Sequence, residues 1–332
     1  MERSFTMKEQ TIEIQHSSGR VLFAAIFRDG GKKLMAKGHL IREEDVRTLE
    51  LGGMKHISVA QLEEGEVAED EAARAVSAEI ACGSYAIQLT RGGRANLTAT
   101  ENCCVLVDDK LLRQVNRASA VVVATCRNFS HATAGQRIAS VKSAPFAVSK
   151  PDFDNLLGTL RDRGPIMQAR PAREASVGVL YCDPFNSERA RTLFEPVLQQ
   201  KLLRFGIRPP NSLTVVEDAD QVAWGLQNLL RPRPTVILVA STTAPAGPLD
   251  AVGLAMEKIG CKIERFLAPV EPGSLLLMGY HNNVPVLSAP GCFRSVEPNV
   301  IDLVLPPLIA GYRVSAWEIA CLGHGGLLNS VK

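Results

Sequence analysis

One stretch decides the fold: residues 235–295, TVILVASTTAPAGPLDAVGLAMEKIGCKIERFLAPVEPGSLLLMGYHNNVPVLSAPGCFRS. Its pattern predicts a buried strand, a polar loop with an acid, and a helix. A proline–glycine turn, a hairpin and a second proline–glycine turn follow. Loops of small residues therefore collect at the C-terminal edge of a sheet, which is where open α/β folds bind ligands.

The chain before this stretch continues the same alternation back to about residue 172. SVGVLY predicts a strand, CDPFNSE a loop, and RARTLFEPVLQQKLLRFG a helix with Pro196 as an unfavourable interior residue. SLTVVE then predicts a strand and DADQVAWGLQNLL a helix. Strand–helix alternation at this spacing indicates a parallel sheet with right-handed crossovers.

The first half of the chain follows no such alternation and predicts an α+β domain. GRVLFAAIF has the apolar character of a strand, and Glu43, Glu44 and Asp45 suit the first turn of a helix that Gly52 and Gly53 would end. AVVVATC is β-branched and predicts a buried strand. We therefore expect two domains, 1–171 of α+β type and 172–332 of α/β type.

Composition excludes several classes of protein. The chain has 332 residues, 46% of them hydrophobic, with a net charge of +2 and only 5% aromatic residues. These values disfavour nucleic-acid binding, and no apolar run has the length of a membrane span. The eight cysteines form no CxxC pair and no apolar signal segment opens the chain, so we expect a cytoplasmic protein with reduced thiols.

The loop after the strand TVILVAS carries the first candidate chemistry. Ser241, Thr242 and Thr243 supply hydroxyls, and Asp250 stands at or near the start of the next helix. Hydroxyls and backbone N–H groups at a helix start can hold an anion, and a carboxylate there can hold Mg²⁺. The simpler interpretation makes Asp250 a helix N-cap, and both remain open at this point.

Two further turns and one hairpin tip are candidates for ligand contact. Pro272-Gly273 can bring backbone close to a ligand, and Arg294 beyond Gly291 suits a phosphate or an ion pair with Glu297. The tip RGGR at residues 91–94 suits a phosphate or, more simply, a solvated turn. No GxGxxG, Walker A, GxSxG or HExxH motif is present.

Four of these segments, in this order and spacing, resemble the molybdopterin-binding fold of the molybdenum-cofactor biosynthesis proteins. They are SVGVLY, VILVASTTAPAGPLDAV, APVEPGSLLLMG and PVLSAPGCFRS. That family includes molybdopterin adenylyltransferases and molybdotransferases, and the likeness is closest to the domain associated with molybdenum-cofactor cytidylyltransferases. The resemblance implies a three-layer, mostly parallel sheet in the C-terminal half.

The resemblance also implies a set of cofactor-binding residues. They are Ser241, Thr242, Thr243, Asp250, Pro272, Gly273, Ser274, Pro290, Gly291, Cys292 and Ser295. Asp250 takes the place of the family's loop acid, with an implied catalytic role and an implied Mg²⁺. The bound cofactor would be molybdopterin or the molybdenum cofactor.

The chain departs from the family in these same loops. Ala240 and Ser241 stand where paired glycines are usual, Ser274 where a lysine is usual, and Cys292 and Phe293 where asparagine and proline are usual. The leading hypothesis is therefore a binding protein for maturation or delivery of the cofactor. The alternatives are a Mg²⁺-dependent adenylyltransferase or molybdotransferase, and a sensor that has lost the ligand. The family implies a homo-oligomer, with a nucleotidyl transferase or a molybdoenzyme as partner.

Overall fold

The computed structural model describes residues 8–28, 30–90, 92–117, 120–171, 175–185, 187–207, 211–289 and 291–328. The strands are β1 (Lys8–Glu13), β2 (Val21–Leu22), β3 (Ile26–Phe27), β4 (Lys33–Met35), β5 (His56–Gln61), β6 (Glu66–Ala68), β7 (Ala81–Gly83), β8 (Tyr85–Thr90), β9 (Arg94–Ala99), β10 (Cys103–Val107), β11 (Val121–Thr125), β12 (Ser130–Ala132), β13 (Arg137–Ser143), β14 (Ala147–Ser149), β15 (Met167–Pro171), β16 (Val177–Asp183), β17 (Asn211–Val216), β18 (Val236–Ser241), β19 (Lys262–Phe266), β20 (Leu277–His281) and β21 (Val284–Ala289).

The helices are α1 (Glu43–Leu51), α2 (Glu69–Glu79), α3 (Asp109–Arg117), α4 (Lys150–Arg163), α5 (Ser187–Arg204), α6 (Ala219–Leu230), α7 (Ala251–Lys258), α8 (Val300–Ile309) and α9 (Ala316–Cys321). Short 3-10 helices cover Ile14–His16 and Gly291–Arg294. Within the described ranges, no helix combines the length and the apolar character needed to cross a bilayer.

The chain divides into two compact units. The first comprises residues 1–100, 107–128 and 134–169, and the second comprises residues 101–106, 129–133 and 170–332. The second unit thus takes two short segments, in β10 and β12, from within the first half of the sequence. The division at 171/172 stays a prediction.

The first unit is built on small antiparallel sheets with helices against them, as an α+β pattern predicts. Its main sheet has the order β11-β13-β9-β8, and α2 packs on one face of it. Inward residues such as Leu97 and Val141 are fully buried. A second core forms where α1 packs against the sheet β1-β5-β2.

Two predictions for the first unit are wrong in detail. GRVLFAAIF is not one strand but two short ones, β2 and β3, with a bend between them. AVVVATC is not wholly buried: in β11, Val121 and Val123 are buried, but Val122 is 47% exposed. The run alternates because only one face of its sheet is covered, and β-branched residues suit a half-buried strand equally well.

The hairpin tip at residues 92–94 is tied to α2. The Gly93 N–H donates to Asp70 Oδ1 at 2.6 Å, and Lys142 Nζ donates to the Gly92 carbonyl at 2.5 Å. A Cβ on Gly93 would lie 2.8 Å from Glu69 Cβ, so the tip needs glycine for packing. Arg91 lies outside the described residues. These contacts support a structural role for the turn.

The second unit confirms the predicted α/β class. Among the described residues, its sheet has six strands in the order β17-β16-β18-β21-β20-β19. The strands β17, β16, β18 and β21 are parallel to one another. Strand β20 is antiparallel to both of its neighbours, β21 and β19, so β19 has the same direction as the four parallel strands. The sheet is mostly parallel.

Helices cover both faces of this sheet and make it the middle of three layers. On one face, buried strand residues such as Val179 and Tyr181 pack with α5 and α8. On the other face, Leu180 and Cys182 pack with α6 and α7. Successive residues of β16 thus enter opposite cores, which is why its first six residues, VGVLYC, are all apolar. Pro196 lies inside α5 without ending it.

The strand order creates a switch point between β16 and β18. The chain leaves β16 through α5 to β17 on one side, and returns through α6 to β18 on the other. Crossovers that diverge in this way open a crevice at the carboxyl ends of the two strands. Because β20 runs opposite to β21, the segment before β20 lies at that same edge of the sheet.

Candidate functional site

Three consecutive hydroxyl side chains at the end of β18 meet two carboxylates at the switch point. Thr242 Oγ1 donates to Asp183 Oδ2 at 2.6 Å, and Ser241 Oγ donates to Glu217 Oε2 at 2.6 Å. Thr243 Oγ1 donates to Glu217 Oε1, and the Thr243 N–H donates to Ser241 Oγ at 3.0 Å. The predicted loop residues Ser241, Thr242 and Thr243 are therefore brought together, with acidic partners.

Asp183 ends β16 with a fully buried side chain. Its Oδ1 accepts the Phe185 N–H at 2.8 Å, and Arg189 Nη1 lies 3.4 Å from Oδ2. The Arg189 side chain is 59% exposed, so solvent screens its charge. Burial, with a smaller contribution from Glu217, raises the pKa of the neighbouring Cys182 thiol, which therefore stays neutral.

Glu217 follows β17, directly beside the end of β16. Its N–H donates to the Asp183 carbonyl at 2.9 Å, which aligns the two strand ends. Neither acid was among the predicted site residues. A signal for both existed in the sequence, because each is an acid placed at the end of an apolar strand, in LYCD and TVVE.

Asp250 is the N-cap of α7. Its Oδ1 accepts the Gly253 N–H at 2.7 Å, and its Oδ2 accepts the N–H groups of Ala246 at 2.8 Å and Gly247 at 3.4 Å. Both oxygens thus hold the loop and the helix start. Among the described residues no group of three or more His, Cys, Asp or Glu is arranged to hold a metal. A catalytic or Mg²⁺-binding role for Asp250 stays a prediction. It does not fit this arrangement, in which both carboxylate oxygens accept backbone N–H groups.

The Pro272–Gly273–Ser274 turn lies against the start of α8. The Val300 N–H donates to the Pro272 carbonyl at 3.1 Å, and the Ala268 N–H donates to the Ser274 carbonyl at 2.9 Å. The peptide bond before Pro272 is cis. Gly273 has φ +123°, and a Cβ there would lie 2.5 Å from Val300 Cγ1. The position therefore requires glycine for packing as well as for conformation.

The last predicted loop follows β21. Pro290 and the Cys292 side chain lie outside the described residues, while Gly291 begins a 3-10 helix. Arg294 Nε donates to the Gly291 carbonyl at 3.3 Å, and the guanidinium stands 6.0 Å from the centre of the Phe194 ring. Ser295 Oγ accepts the Glu297 N–H at 3.1 Å. Gly291 and Ser295 thus lie in one turn with Arg294, which is the charged residue of that turn.

An ion pair between a buried lysine and a partly exposed aspartate holds this turn and the start of α8 to α5. Lys201 is fully buried, and its Nζ contacts Asp302 Oδ2 at 2.6 Å and the Glu297 carbonyl at 2.9 Å. Asp302 Oδ2 also accepts the Asn299 N–H at 2.8 Å, which completes a capping box on α8. Lys201 was not among the predicted site residues, because a lysine within a helix is ordinarily exposed.

Comparisons with known proteins show no family-model match and no match among curated proteins. Solved structures give weak likenesses to a molybdopterin biosynthesis MoeA protein from Pyrococcus horikoshii and a molybdenum cofactor biosynthesis protein from Pyrococcus furiosus. The first is 11% identical with a TM-score of 0.31, over 92% of this chain and 75% of that one. The second is 10% identical with a TM-score of 0.23, over 92% and 66%. Likenesses of this size carry no argument about function.

Proposed function

We propose that the second unit binds molybdopterin, or its molybdenum form, in molybdenum-cofactor biosynthesis. The observation that carries the proposal is the convergence of the loops of three family-like segments on one edge of the sheet. The loop between β18 and α7, the Pro272–Ser274 turn and the Gly291–Ser295 turn all lie at the edge where the parallel strands end. Open α/β sheets bind ligands at this place.

The charges at this edge favour one orientation of the ligand. Ser241, Thr242 and Thr243 donate to Asp183 and Glu217, so their hydroxyls face carboxylates instead of offering free donors to a phosphate. Carboxylates accept N–H groups, and the pyrimidine side of a pterin carries an amino group and ring N–H donors. We therefore place the pterin against Glu217, with the phosphate toward a cation.

Arg294 is the cation that we assign to the phosphate in this arrangement. It stands on the turn that follows β21, at the same edge of the sheet, and its side chain is exposed. A guanidinium suits bidentate contact with phosphate oxygens. This orientation reverses the sequence-based expectation that the phosphate lies on the Ser241–Thr243 loop.

Titration of the purified chain with molybdopterin tests the proposal. Binding with a free energy weaker than about −6 kcal/mol, equivalent to tens of micromolar, would contradict it. Orientation is tested by pairing variants with ligands. Glu217→Gln should weaken binding of phosphorylated and dephosphorylated pterin alike, whereas Arg294→Gln should weaken only the phosphorylated form.

A Mg²⁺-dependent adenylyltransferase or molybdotransferase is the second candidate, and Asp183 with Glu217 is the observation that favours it. Two carboxylates on adjacent strand ends, beside a phosphorylated ligand, form a donor set that Mg²⁺ accepts. Bound Mg²⁺ would neutralise phosphate charge. Turnover of ATP with molybdopterin and Mg²⁺ that is lost in Asp183→Asn but kept in Asp250→Asn would establish this activity. Absence of turnover in the native chain would exclude it.

A further inference from the structure

The main sheet of the first unit has two edges that the fold treats differently. At the β11 edge, the side chain of Asn116 in α3 bonds the backbone of Val123 on both sides. Asn116 Nδ2 donates to the Val123 carbonyl at 2.8 Å, and the Val123 N–H donates to Asn116 Oδ1 at 2.7 Å. The Asn116 amide thus forms hydrogen bonds with the backbone N–H and C=O of Val123, which point away from the sheet and would otherwise be open to a neighbouring strand.

The other edge, β8, has no such cover. Within the described residues β8 pairs only with β9, and every residue from Ala86 to Thr90 is exposed. Ile87 is 39% exposed and Leu89 is 43% exposed. The strand YAIQLT contains no charge and no proline, which are residues that often protect a free edge.

The outward backbone groups of β8 can be identified from the ladder. Ala99, opposite Tyr85, directs its N–H to the Gln136 carbonyl at 2.9 Å and its carbonyl to the Gly135 N–H at 2.8 Å, away from β8. Tyr85 is therefore not hydrogen-bonded to its opposite residue, and its own N–H and C=O point outward. Because bonding alternates along an antiparallel pair, Ile87 and Leu89 point outward as well.

We propose that β8 pairs with β8 of a second copy of this chain, antiparallel and centred on Ile87, to form a continuous sheet across a homodimer. In this register Ile87 lies opposite Ile87 of the second copy, and Tyr85 lies opposite Leu89 of the second copy. All of these residues carry outward N–H and C=O groups, so the pairing satisfies every free group of the strand.

The side chains of β8 are complementary to themselves in this register. Tyr85, Ile87 and Leu89 share the face on which α2 packs, because they lie opposite Ala99, Leu97 and Ala95 in β9. Their partly exposed apolar surfaces would meet across the two-fold axis. Ala86 would lie opposite Gln88 on the other face. No like charges are brought together, whereas a charged strand of a different protein would gain nothing from this edge.

Two variants test the pairing without disturbing the sheet inside one chain. Ile87→Pro removes an outward N–H and leaves the bonds between β8 and β9 intact, since proline is tolerated on edge strands in this orientation. Ile87→Lys keeps the backbone and adds a charge at the axis. Val122→Lys on β11 is the matched control, because Val122 is an exposed apolar residue at the capped side of the same sheet.

Sedimentation velocity on the full chain provides the measurement. We expect the native chain and Val122→Lys to dimerise, and both Ile87 variants to raise the dimer dissociation constant at least about ten-fold with unchanged circular dichroism. Measurements should cover about a hundred-fold range of concentration, which spans about 2.8 kcal/mol of association free energy. A monomeric native chain, or Ile87 variants as dimeric as the native chain, would overturn the proposal.

Disulfide cross-linking tests the register. Opposed hydrogen-bonded residues have Cα atoms about 5.5 Å apart, which lies within the range that a disulfide spans. Ile87→Cys should therefore cross-link faster than Gln88→Cys, with the native chain as the baseline for its own exposed cysteines. Equal or faster cross-linking of Gln88→Cys would overturn the Ile87-centred register.

Discussion

Thr242 Oγ1 donates a 2.6 Å hydrogen bond to the buried carboxylate of Asp183, and this bond joins the ends of β18 and β16 at the switch point. The carboxylate is fully buried, and its other partners include the Phe185 N–H and an exposed arginine. The stability of the site therefore depends on hydroxyl donors as well as on the cation.

Thr242→Val should lower the free energy of unfolding by about 1.5–3 kcal/mol, because it removes a hydrogen bond to a buried charged group. Thr192→Val is the control, since the Thr192 hydroxyl is exposed and bonds only a backbone carbonyl of its own helix. The control should change stability by no more than about 0.5 kcal/mol. Urea unfolding measures both, and equal effects would contradict the role given to Asp183.

Gly273→Ala should destabilise the chain and weaken ligand binding. Its φ of +123° is rare for other residues, and the added Cβ would collide with Val300. We expect a loss of at least about 2 kcal/mol in the free energy of unfolding. Gly158→Ala, in the middle of α4 with open space around the new Cβ, should instead stabilise by about 0.5–1 kcal/mol. An unchanged free energy of unfolding in Gly273→Ala would contradict the requirement for glycine against Val300.

Lys201→Met should cost about 3–5 kcal/mol, because it leaves Asp302 without the ammonium that is buried against it. Asp302→Leu alone should cost a similar amount, because it leaves the buried ammonium of Lys201 without its carboxylate. The double variant should lose much less than the sum of the two, since neither charge remains. A double-mutant cycle measured by urea unfolding gives the coupling, and strict additivity would show that the pair does not act as a unit.

The pH dependence of stability should carry a contribution from His131. Burial lowers its pKa below the ordinary value of 6.5, and its ring stands 4.8 Å from Phe205. The unfolded chain then binds this proton more readily than the folded chain. Stability from this group is complete above about pH 6.5 and is lost as the pH falls toward the depressed folded pKa.

His131→Leu should therefore flatten the acid side of the stability profile. The comparison is the free energy of unfolding of the native chain and the variant, measured at intervals below neutral pH. The difference between the two should grow as the pH falls. Parallel profiles would show that His131 does not titrate differently in the folded state.

Sequence patterns predicted the second unit well because its strands and helices are each continuous and strongly patterned. The start of α7 at Asp250 and the helix in DADQVAWGLQNLL are confirmed. Local patterns do not contain strand order, however. The pairing of Asp183 and Glu217 with the Ser241–Thr243 loop arises only because β16 lies between β17 and β18, and these contacts join residues far apart in the chain.

The first unit was harder to predict because its sheets are exposed on one face. AVVVATC and GRVLFAAIF are apolar enough to indicate burial. However, buried and exposed residues alternate in AVVVATC, and the chain bends within GRVLFAAIF. The placement of β12 in the second unit is likewise invisible in the sequence, since SHA has no periodicity of its own. Short segments placed by distant partners leave little local signal.

Molybdopterin binding at the switch point is tested by calorimetric titration of molybdopterin into the native chain, Thr243→Tyr and Thr48→Tyr. Thr243 is exposed in the loop at the switch point, and Thr48 is exposed on α1. We expect binding stronger than about −6 kcal/mol for the native chain and Thr48→Tyr, and an affinity at least about ten-fold lower for Thr243→Tyr. Undetectable binding by the native chain, or full binding by Thr243→Tyr, would contradict binding at the switch point.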